Sequence, residues 1–232
     1  MKLPLVCALL LATASPALAQ VGHPPQGSPY RDLEYKQSWT LFAGQFNSNT
    51  GAAHVGPDDA AMIGIRYDLR LGASPFSFTS RAMVADNDRT VIDPTRAASA
   101  REVGTTPARM LMLDVGLSFS LTGARSYHGF VPMISGGLGI ARDLSTTTAD
   151  AGGFGIGTPF ALSFGAGIRW VPKGRLGLRA DISNFAFKLS YPPAYFTPGV
   201  PGDPPVLGTG TGTSEWTKHV LLTLGVTYSF AR

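Results

Sequence analysis

Residues Trp216–Phe230 read WTKHVLLTLGVTYSF, and they alternate strictly. Trp216, Lys218, Val220, Leu222, Leu224, Val226, Tyr228 and Phe230 share one parity. Thr217, His219, Leu221, Thr223, Gly225, Thr227 and Ser229 share the other. Period-two alternation over this length is the signature of a β-strand with two unlike faces. One face is aliphatic with aromatic residues at both ends, and the other is mostly small and polar.

The same pattern recurs upstream. Over 158–170, Phe160, Leu162, Phe164, Ala166, Ile168 and Trp170 alternate with Ala161, Ser163, Gly165, Gly167 and Arg169. Over 110–121, alternate leucines and Val115 face away from Met110, Met112, Asp114, Gly116, Ser118 and Ser120. Over 61–71, Ile63, Ile65, Tyr67 and Leu69 alternate with Met62, Gly64, Arg66, Asp68 and Arg70. Weaker versions occupy 38–47, 75–86, 127–142 and 174–190. In the last, the apolar parity shifts from Leu176, Leu178 and Ile182 to Phe185, Phe187 and Leu189, which implies a bulge near Ser183-Asn184. The segments are as long as the roughly 9–11 residues of a tilted membrane strand, and longer than the common globular strand of about 5–6.

The connections alternate in length. Gly72–Pro75, Thr122–Ser126 and Pro172–Gly174 are short turns carrying Gly or Pro. The connections at 48–60, 87–108, 143–157 and 191–215 are long. Eight strands with short turns at one rim and long loops at the other define an all-β fold, an eight-stranded antiparallel up-and-down transmembrane β-barrel with its long loops outside. Trp39, Tyr67, Phe76, Phe119, Trp170, Tyr228 and Phe230 fall at the turn rim. Phe46, Phe160, Phe187 and Trp216 fall at the loop rim. Aromatic girdles belong at those depths.

The chain starts with Met1-Lys2, an apolar run Leu3–Ala12 and an A-x-A site at Ala17–Ala19, which reads as a secretory signal peptide cut after Ala19. That run is too short to span a membrane as a helix. The only cysteine, Cys7, lies inside it, so neither a disulfide nor lipidation is expected. Residues 20–37, with Pro24-Pro25 and Pro29, read as a flexible periplasmic lead-in, and 38–232 as the barrel. Net charge is +4 with 15% charged residues, too weak an excess to suggest nucleic acid.

The sequence resembles the small outer-membrane β-barrel family typified by the OmpA transmembrane domain, OmpX and OmpW. The resemblance covers about 38–232 and is most specific in Leu222–Phe230. It implies a cell outer-membrane location in a Gram-negative host. It also implies that the barrel-assembly machinery reads the terminal strand through Tyr228 and Phe230, here followed by Ala231-Arg232. Its implied surroundings are outer-membrane lipid and lipopolysaccharide, and the chain is expected to be a monomer.

Inward parity collects Arg66, Asp68, Arg70, Arg81, Asp114, Arg169, Arg179 and Asp181. The interior of an eight-stranded barrel is just wide enough for side chains, so these charges are expected to pair. Anion selectivity is the sharper reading. Met62, Met83, Met110, Met112 and Met133 share that face and read as gap-filling; an OmpW-like passage for small hydrophobic molecules is the alternative. A lipid A-modifying enzyme would draw on His219, Ser214-Glu215, His54 and Asp58-Asp59. Catalysis needs geometry that such a set does not imply by itself, and the expectation is a non-enzymatic barrel with a structural or surface-interaction role. Neither the four histidines nor Gly153–Gly157 has ligand or nucleotide-loop spacing, so no metal or cofactor is expected. A lipocalin is the soluble rival, with apolar residues inside instead of outside.

Overall fold

A computed structural model describes residues 28–145, 150–208 and 210–231. The expected signal peptide and the first part of the expected lead-in lie outside the described residues. Among the described residues ten strands form: β1 (Tyr30–Asp32), β2 (Tyr35–Asn47), β3 (Ala60–Arg70), β4 (Phe76–Ile92), β5 (Glu102–Ser120), β6 (Arg125–Tyr127), β7 (Phe130–Asp143), β8 (Phe160–Trp170), β9 (Leu176–Ser190) and β10 (Ser214–Ala231). Eight of them make an antiparallel ring in chain order, β2, β3, β4, β5, β7, β8, β9 and β10. Pairing of β10 with β2 closes it, in a register running from Val220 opposite Asn47 to Phe230 opposite Gln37.

Closure leaves the ring without a free edge strand. It also assigns the two parities. In β10, Leu224 is 71% exposed, whereas His219 and Leu221 are fully buried. Leu41, Ile63, Val115, Leu138 and Phe164 are exposed on the outside of other strands. Isolated apolar residues on a surface are ordinary, but a continuous aliphatic belt around a barrel is not. It needs hydrocarbon around it, and it contradicts the lipocalin arrangement. Aromatic pairs border the belt at the turn rim: Trp39 with Tyr67, Phe76 with Phe119 and Tyr228 with Phe230, with ring centroids 4.8, 5.1 and 5.1 Å apart.

Four expectations need correction. The lead-in is not unstructured to residue 37. Residues 30–32 pair with β6, and β2 begins at Tyr35. The connection at 122–126 is not a bare turn, because β6 forms a small flap there. Gly123 at φ 67° makes the first bend, and His128 and Gly129, at φ 50° and 85°, make the second. The long connection at 87–108 is mostly hairpin, since β4 and β5 stay paired from Phe76–Phe119 to Val91–Gly104 and project past the other strands.

The fourth correction concerns β9. Its pairing with β10 runs unbroken from Leu176–Tyr228 to Ser190–Ser214, and its pairing with β8 is equally regular. There is no bulge at Ser183-Asn184. Phe185, Phe187 and Leu189 stay on the parity of Arg179 and Asp181 and point inward, with at most 1% exposure. The sequence pattern slips because the lumen itself changes from polar to apolar along its length. Phe46 and Phe187 are therefore lumen residues and not girdle residues, while Phe160 and Trp216 do remain outside at the loop rim.

The belt assignment has a direct test. Placing Arg at Leu224 puts a charge at the middle of the aliphatic belt and is expected to destabilise the folded barrel in lipid vesicles by about 2–4 kcal/mol, measured by denaturant titration. A neutral or more soluble variant would mean that this face meets water.

Candidate functional site

The interior is the chemically distinctive part of the molecule, and it has two tiers. The turn-end tier holds all eight expected charges. Each lies on an inward position of β3, β4, β5, β8 or β9, spaced two residues apart on β3, which carries three, and on β9, which carries two. Arg66 Nε donates to Asp68 at 2.9 Å, and Arg179 Nε donates to Asp181 at 2.7 Å. Arg179 also reaches Asp68 across the lumen at 3.3 Å, and Arg66 lies 3.9 Å from Asp181. These four groups form one closed square of alternating charge. Arg81 and Asp114 sit opposite each other on β4 and β5 and pair through two guanidinium nitrogens, and Arg81 also donates to the Ser183 hydroxyl at 3.1 Å.

Arg70 and Arg169 are held differently. Arg70 donates to the carbonyls of Leu33 and Tyr35. Arg169 donates to the hydroxyls of Ser38 at 3.1 Å and Ser229 at 2.7 Å. Its guanidinium lies over the Tyr35 ring, 4.1 Å from the centroid. Tyr35 comes from the stretch read as a lead-in, so the sequence pattern alone did not place it here.

The loop-end tier is apolar. Met62, Met83, Met110 and Met112 meet there with Phe46, Phe185, Phe187, Leu189 and Leu221. Met133 does not join them. It packs at the turn end with Leu33, Tyr35 and Val131, and its sulfur lies 2.9 Å from Arg179. Long unbranched thioethers suit a cavity of irregular outline. In this tier His219 is stacked between Phe46 and Phe187, with ring centroids at 5.1 and 4.3 Å. The Asn49 amide donates to its Nδ1 at 3.2 Å, and Nε2 faces the Thr217 hydroxyl at 2.9 Å. An accepting Nδ1 places the ring proton on Nε2 and keeps the imidazole neutral.

The loops fold over this tier as a cap. Val55, Phe154 and Tyr195 are buried on it, as are Tyr191 and Leu207. Phe154, Tyr191 and Tyr195 stack mutually at 6.2 Å. Arg89 on the projecting part of β4 grips Asp150 with two bonds of 2.7 Å, and both side chains are buried. Asp203 accepts from the Ala98 amide at 2.8 Å, and Glu215 accepts from the Tyr191 hydroxyl and the Ala52 amide. Burial and the neighbouring Glu215 carboxylate push the Tyr191 phenol above its usual range; burial and Asp150 do the same for Tyr195.

Of the residues named for lipid A chemistry, His219 and Asp59 meet at Ser48, while Glu215 and His54 are engaged elsewhere. His219 is enclosed between two rings. The neighbouring Ser48 gives its hydroxyl proton to the Pro57 carbonyl. Glu215 is committed to the cap, His54 contacts Thr50, and Asp59 accepts from the Ser48 amide. Burial and the neighbours Asp88 and Asp59 raise the Asp58 carboxyl above its ordinary value.

No family model matches the chain, and no curated protein matches it. Among solved structures it is similar to neisserial surface protein A, with 14% identity, a TM-score of 0.48 and coverage of 88% of this chain and 98% of that one. It is similar to the outer membrane protein OprG of Pseudomonas aeruginosa, with 9% identity, a TM-score of 0.48 and coverage of 86% and 98%. It is also similar to the N-terminal β-barrel domain of Pseudomonas aeruginosa OprF, with 10% identity, a TM-score of 0.47 and coverage of 84% and 98%.

Two outcomes follow from this interior. Asp181→Asn leaves Arg179 and Arg66 short of a carboxylate in a buried site, and a loss of about 3–5 kcal/mol is expected in denaturant titrations. The cap should loosen in alkali. A phenol whose folded pKa is raised stabilises the fold fully below its unfolded value of about 10, and that contribution is lost as pH rises through the folded value. Spectroscopic titration of tyrosinate should show Tyr191 and Tyr195 ionising late, with loop proteolysis rising over the same interval.

Proposed function

We propose that the chain is an integral outer-membrane barrel, a monomer without catalytic activity, whose role is structural or surface-interacting and is carried by its capped outer loops. The observation that carries this reading is a lumen filled along both tiers beneath a cap that is itself packed. The salt-bridge square occupies the turn end, and Phe46, Phe187, His219 and four methionines occupy the loop end. Within that tier Met62, Met83, Met110 and Met112 are at most 2% exposed. An apolar passage would need these side chains to line an opening, whereas here they fill the core beneath Val55 and Phe154.

The surroundings follow from the outer surface. The belt between Trp39 and Trp216 suits outer-membrane lipid. Lys188 and Lys218 are exposed at the loop end of β9 and β10, on outward parity. There they meet the depth of lipopolysaccharide phosphates. Phe230 lies outward at 42% exposure on the strand that closes the ring, which suits recognition of that strand by an assembly machinery before closure.

Planar-bilayer recordings test the reading. The native barrel should give a closed record, and so should Phe46→Ala with Phe187→Ala, because the salt-bridge square still fills the turn end when the loop-end tier is emptied. A steady conductance from the native barrel would overturn the reading in favour of a passage.

A further inference from the structure

We propose that the turn-end mouth of the lumen binds one chloride-sized anion, held by Arg169 and Arg70. The charge inventory requires an acceptor there. Five arginines and three aspartates face the lumen, and the three carboxylates are all engaged with Arg66, Arg81 and Arg179. Among the described residues, no carboxylate lies within ion-pair distance of Arg70 or Arg169, and Asp68, which acts on Arg169 at longer range, is already shared by Arg66 and Arg179. Arg169 is 2% exposed and Arg70 is 8% exposed, so water does little to screen either. A buried cation without a counter-ion is costly.

Both guanidinium groups border the same ring. Their central carbons lie 4.1 and 5.9 Å from the Tyr35 centroid. Beside them is a cavity of about 20 Å³, lined by Arg70, Arg169 and Arg179 together with Ser77, Ser118 and Ser120. Asp68 also borders it, but two arginines already hold that carboxylate. Arg169 Nε is buried and makes no hydrogen bond among the described residues. An unused donor, two cations without carboxylates and three hydroxyl-bearing serines describe an anion acceptor. Room for a water-sized occupant begins at roughly 10–15 Å³ of such volume, so the cavity has room for a small anion. Ser74, Pro75 and Gly123, from the short turns, form its rim, so the anion enters from the turn end.

The site is independent of what the loops do, and it is read out by stability and by scattering. The full chain, folded in detergent, is unfolded by urea at matched ionic strength in sodium bromide and in sodium sulfate. Bromide should raise the folded-to-unfolded ratio in a saturable manner, tenfold when free bromide is about nine times its dissociation constant. General salt effects run the other way, because sulfate is the stabilising anion. Arg169→Gln should abolish the bromide dependence. Equal stabilisation by both salts, or full bromide dependence in Arg169→Gln, would overturn the proposal. If that variant does not fold, crystals of the native protein in bromide decide the matter. An anomalous peak beside Arg169 supports the site, and an empty cavity at high bromide refutes it.

Discussion

An eight-stranded barrel has to fill its own interior. Its circumference leaves space for one layer of side chains from each wall and little else. Once β10 pairs with β2, each inward residue must therefore pack or pair with a residue from across the ring. The rest of the structure follows from how this chain meets that demand. At the turn end it uses charge, with Arg66, Asp68, Arg179 and Asp181 neutralising one another across β3 and β9. At the loop end it uses methionine and phenylalanine, with His219 held neutral between two rings. The outward parity has the opposite requirement, and its leucines, isoleucines and valines need a hydrocarbon surrounding.

The two tiers also explain the cap. An apolar upper lumen would be an exposed hydrophobic floor unless something covered it, and the loops provide Val55, Phe154, Tyr191, Tyr195 and Leu207 for that purpose. The cap is then fixed laterally by polar contacts. Arg89 with Asp150 is the strongest, since a bidentate bond between planar groups is both directional and charge-assisted. The outer end is thus a shaped surface, and the loops are anchored to the same core that closes the barrel.

The wall was legible in the sequence because strand parity is a local signal. All eight lumen charges were identifiable from alternation in single segments, and the structure places every one of them inside. The long-range features were not legible. Arg89 and Asp150 are 61 positions apart and lie in segments with no alternation to assign them a face. Phe46 and Phe187 looked like girdle residues because an aromatic at a strand end fits either face. The supposed bulge in β9 arose from the same ambiguity, since a lumen that turns apolar halfway mimics a change of parity. Tyr35 was missed because the start of β2 is defined by its partner β10, and not by its own pattern.

The central claim is that one face of the wall meets lipid while the other is buried in a filled lumen. Cys7, in the expected signal peptide, is the only cysteine in the chain, so single cysteines can be placed along β10 of a barrel that begins after Ala19. Spin labels or thiol probes at 220, 222, 224 and 226 should report contact with the bilayer interior in lipid vesicles. Cysteines at 219, 221 and 223 should resist water-soluble thiol reagents. Ready modification at those three odd positions would contradict the account, because it would mean that water fills the lumen.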